Sequence, residues 1–256
     1  MVKLTIIAFS FTGQKGADTW LRSIKAQRYR HWEAIHIESF GDIGKISTCH
    51  GDRRKPNIKE VKPPSSRNDA LNMGIAMATG DVICLLPIHC AFKTADVLGS
   101  VAQIMEDPEV DLVCGNIEIS KAAGKTGLIT PVALPDLNHQ RNGGELIPQP
   151  GCLFVRADWW HYFGGLETCY RRSAEFARVM DLIAQPGIEI RHVDEVLVTQ
   201  HQVESNGEPS TLLRSLEEIR VASAKGRLWS YVKSRRSIKA ASSSADRWRS
   251  ELSRPN

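Results

Sequence analysis

Apolar runs rich in β-branched residues alternate with segments of helical period through the first half of this chain, and that alternation constrains its fold more than any other feature. Leu4–Phe11 is a run of the kind that forms a strand buried on both faces. Gly13 and Gly16 break it, and residues 17–28 then set Trp20, Leu21, Ile24 and Tyr29 on one helical stripe. A second strand at residues 33–38 ends in a turn at Phe40-Gly41-Asp42. The polar stretch 45–64 carries Pro56, Pro63 and Pro64 and reads mostly as loop, with a short edge strand at residues 58–61. Residues 68–78 read as a helix with Ala70, Leu71, Ile75 and Ala78 inward, Gly80-Asp81 closes it, and residues 82–86 make a third buried strand. A helix at residues 94–105 and a strand at residues 110–115 complete the series. This order predicts βαβ units: an α/β fold with a mostly parallel sheet flanked by helices. Ligands of such sheets bind beyond the carboxyl ends of the strands, so the loops after Phe9, Ile37 and Leu86 should surround one crevice.

The second half is less regular. Residues 116–149 are rich in Gly and Pro and read as a lid or acceptor-facing insertion. Order returns at residues 151–156, in the aromatic run from Trp159 to Phe163, at the turn Gly164-Gly165, in a helix at residues 174–184 and in a strand at residues 188–193. Residues 211–229 look helical and residues 237–245 are of low complexity. Charge divides the chain in the same way. From Arg220 to Asn256 there are ten Lys or Arg and two acids, a net of +8, so the rest of a chain of net +4 carries −4. A basic segment holding Leu228, Trp229 and Val232 reads as a membrane-surface anchor, with a solvated tail as the alternative. The acidic body argues against nucleic acid. No run approaches the ~18 apolar residues of a membrane span, and the apolar start is too short for a signal peptide. Six cysteines without a CxxC pair point to reduced thiols and a cytoplasmic protein, at most peripheral at the inner membrane face. Cys49-His50 and His89-Cys90 match no usual zinc spacing.

Four segments, taken in order, resemble the family 2 glycosyltransferases of the GT-A fold. Residues 23–35 are similar to the family's S-I-x-x-Q-x-Y-x-x-W-E-x-I, and residues 66–86 to x-R-N-x-x-x-N-x-G-I-x-x-A-x-G-D-x-I-x-F-L. Residues 111–116 resemble D-x-V-x-G-D, and residues 151–156, Gly164-Gly165-Leu166-Glu167 and Glu175 resemble the acceptor half. The resemblance implies a Rossmann-like nucleotide-diphospho-sugar transferase domain over residues 1–210. Its nucleotide-sugar-binding half would be residues 1–116 and its acceptor half residues 117–210, followed by a helical basic tail at residues 211–256.

It also implies roles. Phe9, Ser10 and Phe11 stand where the family packs base and ribose, and an aromatic there can stack on a base; core aromatics ending a strand are the plain alternative. Glu38 and Ser39 stand where the family has Asp-Asp, and Ser39 cannot supply the carboxylate that reads uracil, which leaves the donor base open. Arg67 and Asn68 start a helix, where an Arg suits a diphosphate, and Asp69 and Asn72 match donor-crevice positions. After the third strand the family's acidic pair holds Mn²⁺ or Mg²⁺ between the phosphates. This chain reads Pro87-Ile88-His89-Cys90, with His89 and Cys90 at the two Asp positions. Three readings follow: a metal-independent enzyme, an altered metal site through His89, or a domain that has lost catalysis. Glu175 stands where the family carries its base, and an acid favoured by the helix dipole is the alternative. The expectation is an inverting transferase that moves a sugar from a nucleotide-diphospho-sugar to a glycan or lipid-linked acceptor. Its rival is a silent glycosyltransferase-like domain that binds a sugar or a partner in polysaccharide assembly.

Overall fold

The computed structural model describes residues 1–11, 13–52, 56–120, 126–129, 132–134, 145–147, 151–170 and 173–201. In chain order they form β1 (Leu4–Phe11), α1 (Ala17–Lys25), β2 (Trp32–Phe40), β3 (Ile43–His50), β4 (Asn57–Val61), α2 (Arg67–Met77), β5 (Val82–Leu85), β6 (Cys90–Phe92) and α3 (Val97–Ile104). β7 (Leu112–Ser120), β8 (Thr126–Ile129), β9 (Val132–Leu134), β10 (Glu145–Ile147), β11 (Leu153–Arg156), α4 (Ala157–Tyr162), α5 (Ala174–Ile183) and β12 (Ile190–His201) follow. The expected helix at residues 211–229 and the whole basic tail lie outside the described residues, as does most of the expected lid. No helix among the described residues is long and apolar enough to cross a membrane.

One large sheet runs β4-β3-β2-β1-β5-β11-β7-β12-β6, with β8 against β7; β9 and β10 pair separately. It is mixed rather than mostly parallel, which corrects the sequence expectation. Parallel pairing is confined to β1 with β2 and β5, and to β7 with β12. Two features account for the difference. Gly41, at φ 52, turns the chain back after β2, so that β3, where a loop was expected, pairs antiparallel with β2, and β4, at the expected edge strand, pairs antiparallel with β3. Only Gly44, Ile46 and Cys49 of β3 are buried, too few to mark a strand by pattern. β11 then inserts antiparallel between β5 and β7. The last strand, expected to end at residue 193, continues along β7 to His201 across two register irregularities.

Both faces of the sheet are covered. Leu4, Ile6 and Ala8 of β1 pack with Trp20 and Ile24 of α1 and with α3, whereas Ile7 and Phe9 pack with Leu71 and Ile75 of α2 and with α5. The two-residue alternation of β1 thus supplies both cores. Helix α2 lies close on the sheet because position 74 is glycine: a Cβ there would stand 2.5 Å from Ile7 Cγ2. Ser66, in extended conformation, starts α2 by accepting a hydrogen bond from Asp69 N–H at 3.1 Å.

The amino ends of β1 and β2 are tied by Glu33, which is 4% exposed. Its Oε1 accepts from Thr5 Oγ1 at 2.7 Å and Thr79 N–H at 2.6 Å, and its Oε2 from Thr79 Oγ1 at 2.8 Å and Lys3 Nζ at 3.2 Å. Burial opposes the charge, but the hydrogen bonds of Thr79, Thr5 and Lys3 outweigh it and lower the pKa. A depressed carboxylate pKa gives stability that is complete above the unfolded value and lost as pH falls through the folded one. Glu33→Gln should therefore cost about 1–3 kcal/mol at pH 7. In urea melts from pH 7 to 3, its deficit should shrink below about pH 4, where wild type loses its advantage.

Candidate functional site

The chain passes from β1 to β2 on one side and to β5 on the other, so the direction of winding reverses at β1. A crevice opens there, beyond the carboxyl ends of β1 and β5, lined by Phe9, Phe11, Gln14, Arg67, Pro87 and His89 among others. This is where the sequence placed a ligand.

Backbone contacts fix its floor. Leu86 N–H donates to Ile7 O at 3.0 Å, and Cys90 N–H closes a tight turn onto Pro87 O at 2.8 Å. Trp20 Nε1 of α1 donates to Leu86 O at 3.1 Å. Position 16, at φ 121, must be glycine, because a Cβ there would stand 2.5 Å from Ile88 O; α1 therefore begins against the backbone of this turn. His201 is the last residue of β12, and its N–H donates to His89 O at 2.9 Å. Gln14, which the sequence did not single out, closes the end of β1: Phe11 N–H donates to its Oε1 at 3.2 Å.

Phe9 is buried and packs edge-on against Phe11, which is 60% exposed, with ring centroids 4.8 Å apart. Phe11 thus offers an open aromatic surface at the crevice. Ser10 is buried and points to the opposite face, where its Oγ lies 2.8 Å from Nε2 of the half-buried His36. Burial, the largest influence there, pushes the His36 pKa down. Glu38 and Ser39 stand in register with Ser10 and Phe11, one strand away.

The expected residues of α2 divide into two groups. Arg67 lines the crevice and forms an ion pair with Glu175, in the first turn of α5. Burial disfavours the Arg67 charge, and the Glu175 carboxylate more than restores it, raising the guanidinium pKa. Asn68 and Asn72 serve the scaffold instead. Asn72 Nδ2 donates to Leu166 O at 2.9 Å while its Oδ1 accepts from Leu166 N–H at 2.7 Å. Asn68, 2% exposed, donates to Glu167 O at 3.3 Å. Together they hold the Gly165–Glu167 segment to α2 and so help place α5. A Cβ on Gly165 would stand 2.5 Å from Asn72 Oδ1. Asp69, in the first turn of α2, accepts from Ser65 Oγ at its Oδ2 and donates its N–H to the capping hydroxyl of Ser66.

The turn does not offer the donors of a hard divalent ion. Cys90 is 2% exposed, and burial, with Cys152 nearby, pushes its thiol up to about 12, far from the thiolate that binds metal. His89 remains as the side-chain donor of the turn. Among the described residues no three His, Cys, Asp or Glu gather as a metal site.

A mixed α/β sheet with helices on both faces and a crevice at this switch point is the architecture of the GT-A glycosyltransferases. Residues 11–163 match the family model described as "Glycosyl transferase family 2", and the chain belongs to that family. Over 105 residues it is 32% identical to an uncharacterized glycosyltransferase of Mycobacterium tuberculosis, covering 40% of this chain and 38% of that protein. The chain thus spans under two fifths of that curated relative's length. S. aureus TarS 1-349, solved in complex with UDP-GlcNAc, superposes with a TM-score of 0.59 at 14% identity, over 86% of this chain and 66% of that one. The mannosyltransferase PcManGT from Pyrobaculum calidifontis, solved with GDP-Man and Mn2+, gives 0.57 at 12% identity, over 95% and 76%. At these identities the superpositions establish the fold.

Proposed function

We propose that this chain is an inverting glycosyltransferase that takes a sugar from a nucleotide-diphospho-sugar to a glycan or lipid-linked acceptor, without a metal held at the turn after β5. The observation that carries the reading is the meeting of Arg67 and Glu175 at the crevice beyond β1 and β5. The nucleotide sugars bound by TarS and PcManGT support the donor class.

In this reading Phe11 stacks on the donor base and Arg67 offsets the diphosphate. The acceptor hydroxyl attacks the anomeric carbon from the side opposite the diphosphate, and Glu175 takes its proton. The bond from that carbon to the phosphate oxygen breaks, its electron pair leaves with the nucleoside diphosphate, and the anomeric configuration inverts. Arg67 supplies the charge stabilisation that the family's acidic pair assigns to a cation. The mannosyltransferase neighbour carries Mn2+, whereas His89 and a buried Cys90 make a poor Mn²⁺ or Mg²⁺ site. The basic tail completes the proposal as a contact with an anionic membrane surface.

A panel of UDP-, GDP-, CDP-, ADP- and dTDP-sugars, followed by hydrolysis and transfer with EDTA or with Mn²⁺, tests this reading. At least one donor should turn over at rates equal within about twofold in EDTA and in Mn²⁺. A requirement for Mn²⁺ would restore the altered metal site. Binding without turnover would favour the silent domain.

A further inference from the structure

We infer that Arg178, three residues beyond Glu175 on α5, is a positioning residue: its guanidinium fixes α5 on the Gly164-Gly165 turn and so aims the Glu175 carboxylate at Arg67 and the crevice that Arg67 lines. The inference rests on the reading of Glu175 as the base.

The contacts form a closed circuit. Arg178 Nη2 donates to Gly165 O and, at 3.4 Å, to Phe163 O, while Nη1 pairs with Asp181 Oδ2 at 3.0 Å. Its Cζ lies over the Phe163 ring, 4.6 Å from the centroid. Asn72 of α2 grips the same turn from the other side, through the N–H and O of Leu166. Arg67, in the first turn of α2, then meets Glu175 in the first turn of α5. Residues three apart on a helix are neighbours, so α5 is tied to α2 at two points of one face. Glu175 makes the first tie directly, and Arg178 makes the second through the turn.

Apolar packing alone does not supply this aim. Ala174, Ala177 and Met180 of α5 are buried, but burial is non-directional, whereas hydrogen bonds fix angle as well as distance. Arg178 is also a costly way to fill the space. Its side chain is 6% exposed, and its Nε has no partner among the described residues. Burial pushes the guanidinium pKa down, against the charges of Asp181 and Glu167. Replacing a buried ion pair by apolar residues is often neutral for stability. What the arginine adds is direction.

Release of nucleoside diphosphate from the panel of UDP-, GDP-, CDP-, ADP- and dTDP-sugars by the full chain, with water as acceptor, tests this. Arg178→Lys keeps a charge for Asp181 but loses the fork that spans Asp181 and the turn. It should lower kcat roughly 10- to 100-fold, as a misplacement of about 1 Å does, with the donor KM within about twofold of wild type. Arg178→Gln should do the same. A merely structural arginine would matter whether or not the base is present. A positioning one would not, so Arg178→Lys in a Glu175→Gln background should cost no further kcat. Melting curves identify the folded variants, and if neither Arg178 variant folds, the residue belongs to the scaffold and the inference falls. Wild-type kcat in a folded Arg178 variant, or an equal loss with and without Glu175, overturns it while the base reading stands. Normal turnover by Glu175→Gln, or no turnover of any donor by wild type, removes the base reading and the positioning role with it.

Discussion

Glu175→Gln should lower sugar transfer on the order of 10²- to 10⁴-fold, the range contributed by a positioned general base. Glutamine keeps the length and one acceptor oxygen of glutamate but cannot take a proton at neutral pH. The backbone of α5 should hold, because Phe176, Ala177, Val179 and Met180 remain buried against the sheet. Removal of an acid from a first helical turn costs roughly 0.3–1 kcal/mol through the helix dipole, and losing the partly exposed ion pair with Arg67 adds roughly 0.2–1 kcal/mol, together below the stability of a typical domain. The loss should therefore appear in kcat, and the KM for donor should stay level or fall as the competitor for Arg67 disappears. Steady-state kinetics separate the two parameters. Normal transfer by the variant removes the base assignment, and a collapse of melting temperature assigns Glu175 to the scaffold.

Trp20→Ala should destabilise the protein by about 3–5 kcal/mol, the range for truncating a buried aromatic. Trp20 is 1% exposed and fills the space between α1 and the β1–β5 face, against Leu4, Ile6 and Leu86. Its Nε1 also donates to Leu86 O at the point where β5 gives way to the Pro87–Cys90 turn. The substitution opens a cavity and leaves that carbonyl without its indole partner, so stability and the crevice floor should suffer together. Trp20→Phe keeps most of the volume and should recover the larger share of stability. Against a total of about 5–15 kcal/mol for a typical domain, the Ala variant should melt far below wild type in thermal or urea unfolding. A shift of under about 1 kcal/mol would show that α1 is not anchored through this residue.

Much of the fold was legible because βαβ patterning leaves strong marks. Strands buried on both faces such as β1 and β5 read as largely apolar runs, and Gly74 fits the close approach of α2 to Ile7. What escaped was set by pairing rather than by pattern. β3 buries little, so its polar sequence resembled a loop, and the short apolar run of β11 carries no mark of its antiparallel direction. The candidate site divides in the same way. Phe9, Phe11, Pro87 and His89 lie at or after strand ends, the family resemblance added Arg67, and all five line one crevice. Residue type could not show that Ser10 turns to His36, or that Asn68 and Asn72 spend their amides on the backbone beside Gly165. Those outcomes depend on which face a side chain takes and on what lies across from it. The ion pair between Arg67 and Glu175, 108 residues apart, was likewise beyond local reading, although both residues had been singled out.

The central claim is that this crevice holds a nucleotide diphosphate on Arg67. Its most direct measurement is the thermal shift given by the nucleotide-sugar panel in EDTA, on wild type and on Arg67→Met. At 100 times its dissociation constant a ligand stabilises the folded state by about 2.7 kcal/mol, which should raise the wild-type melting temperature by several degrees. The account predicts such a shift for at least one nucleotide sugar, and its loss in Arg67→Met. No shift for any member of the panel, or an equal shift in both proteins, would contradict it.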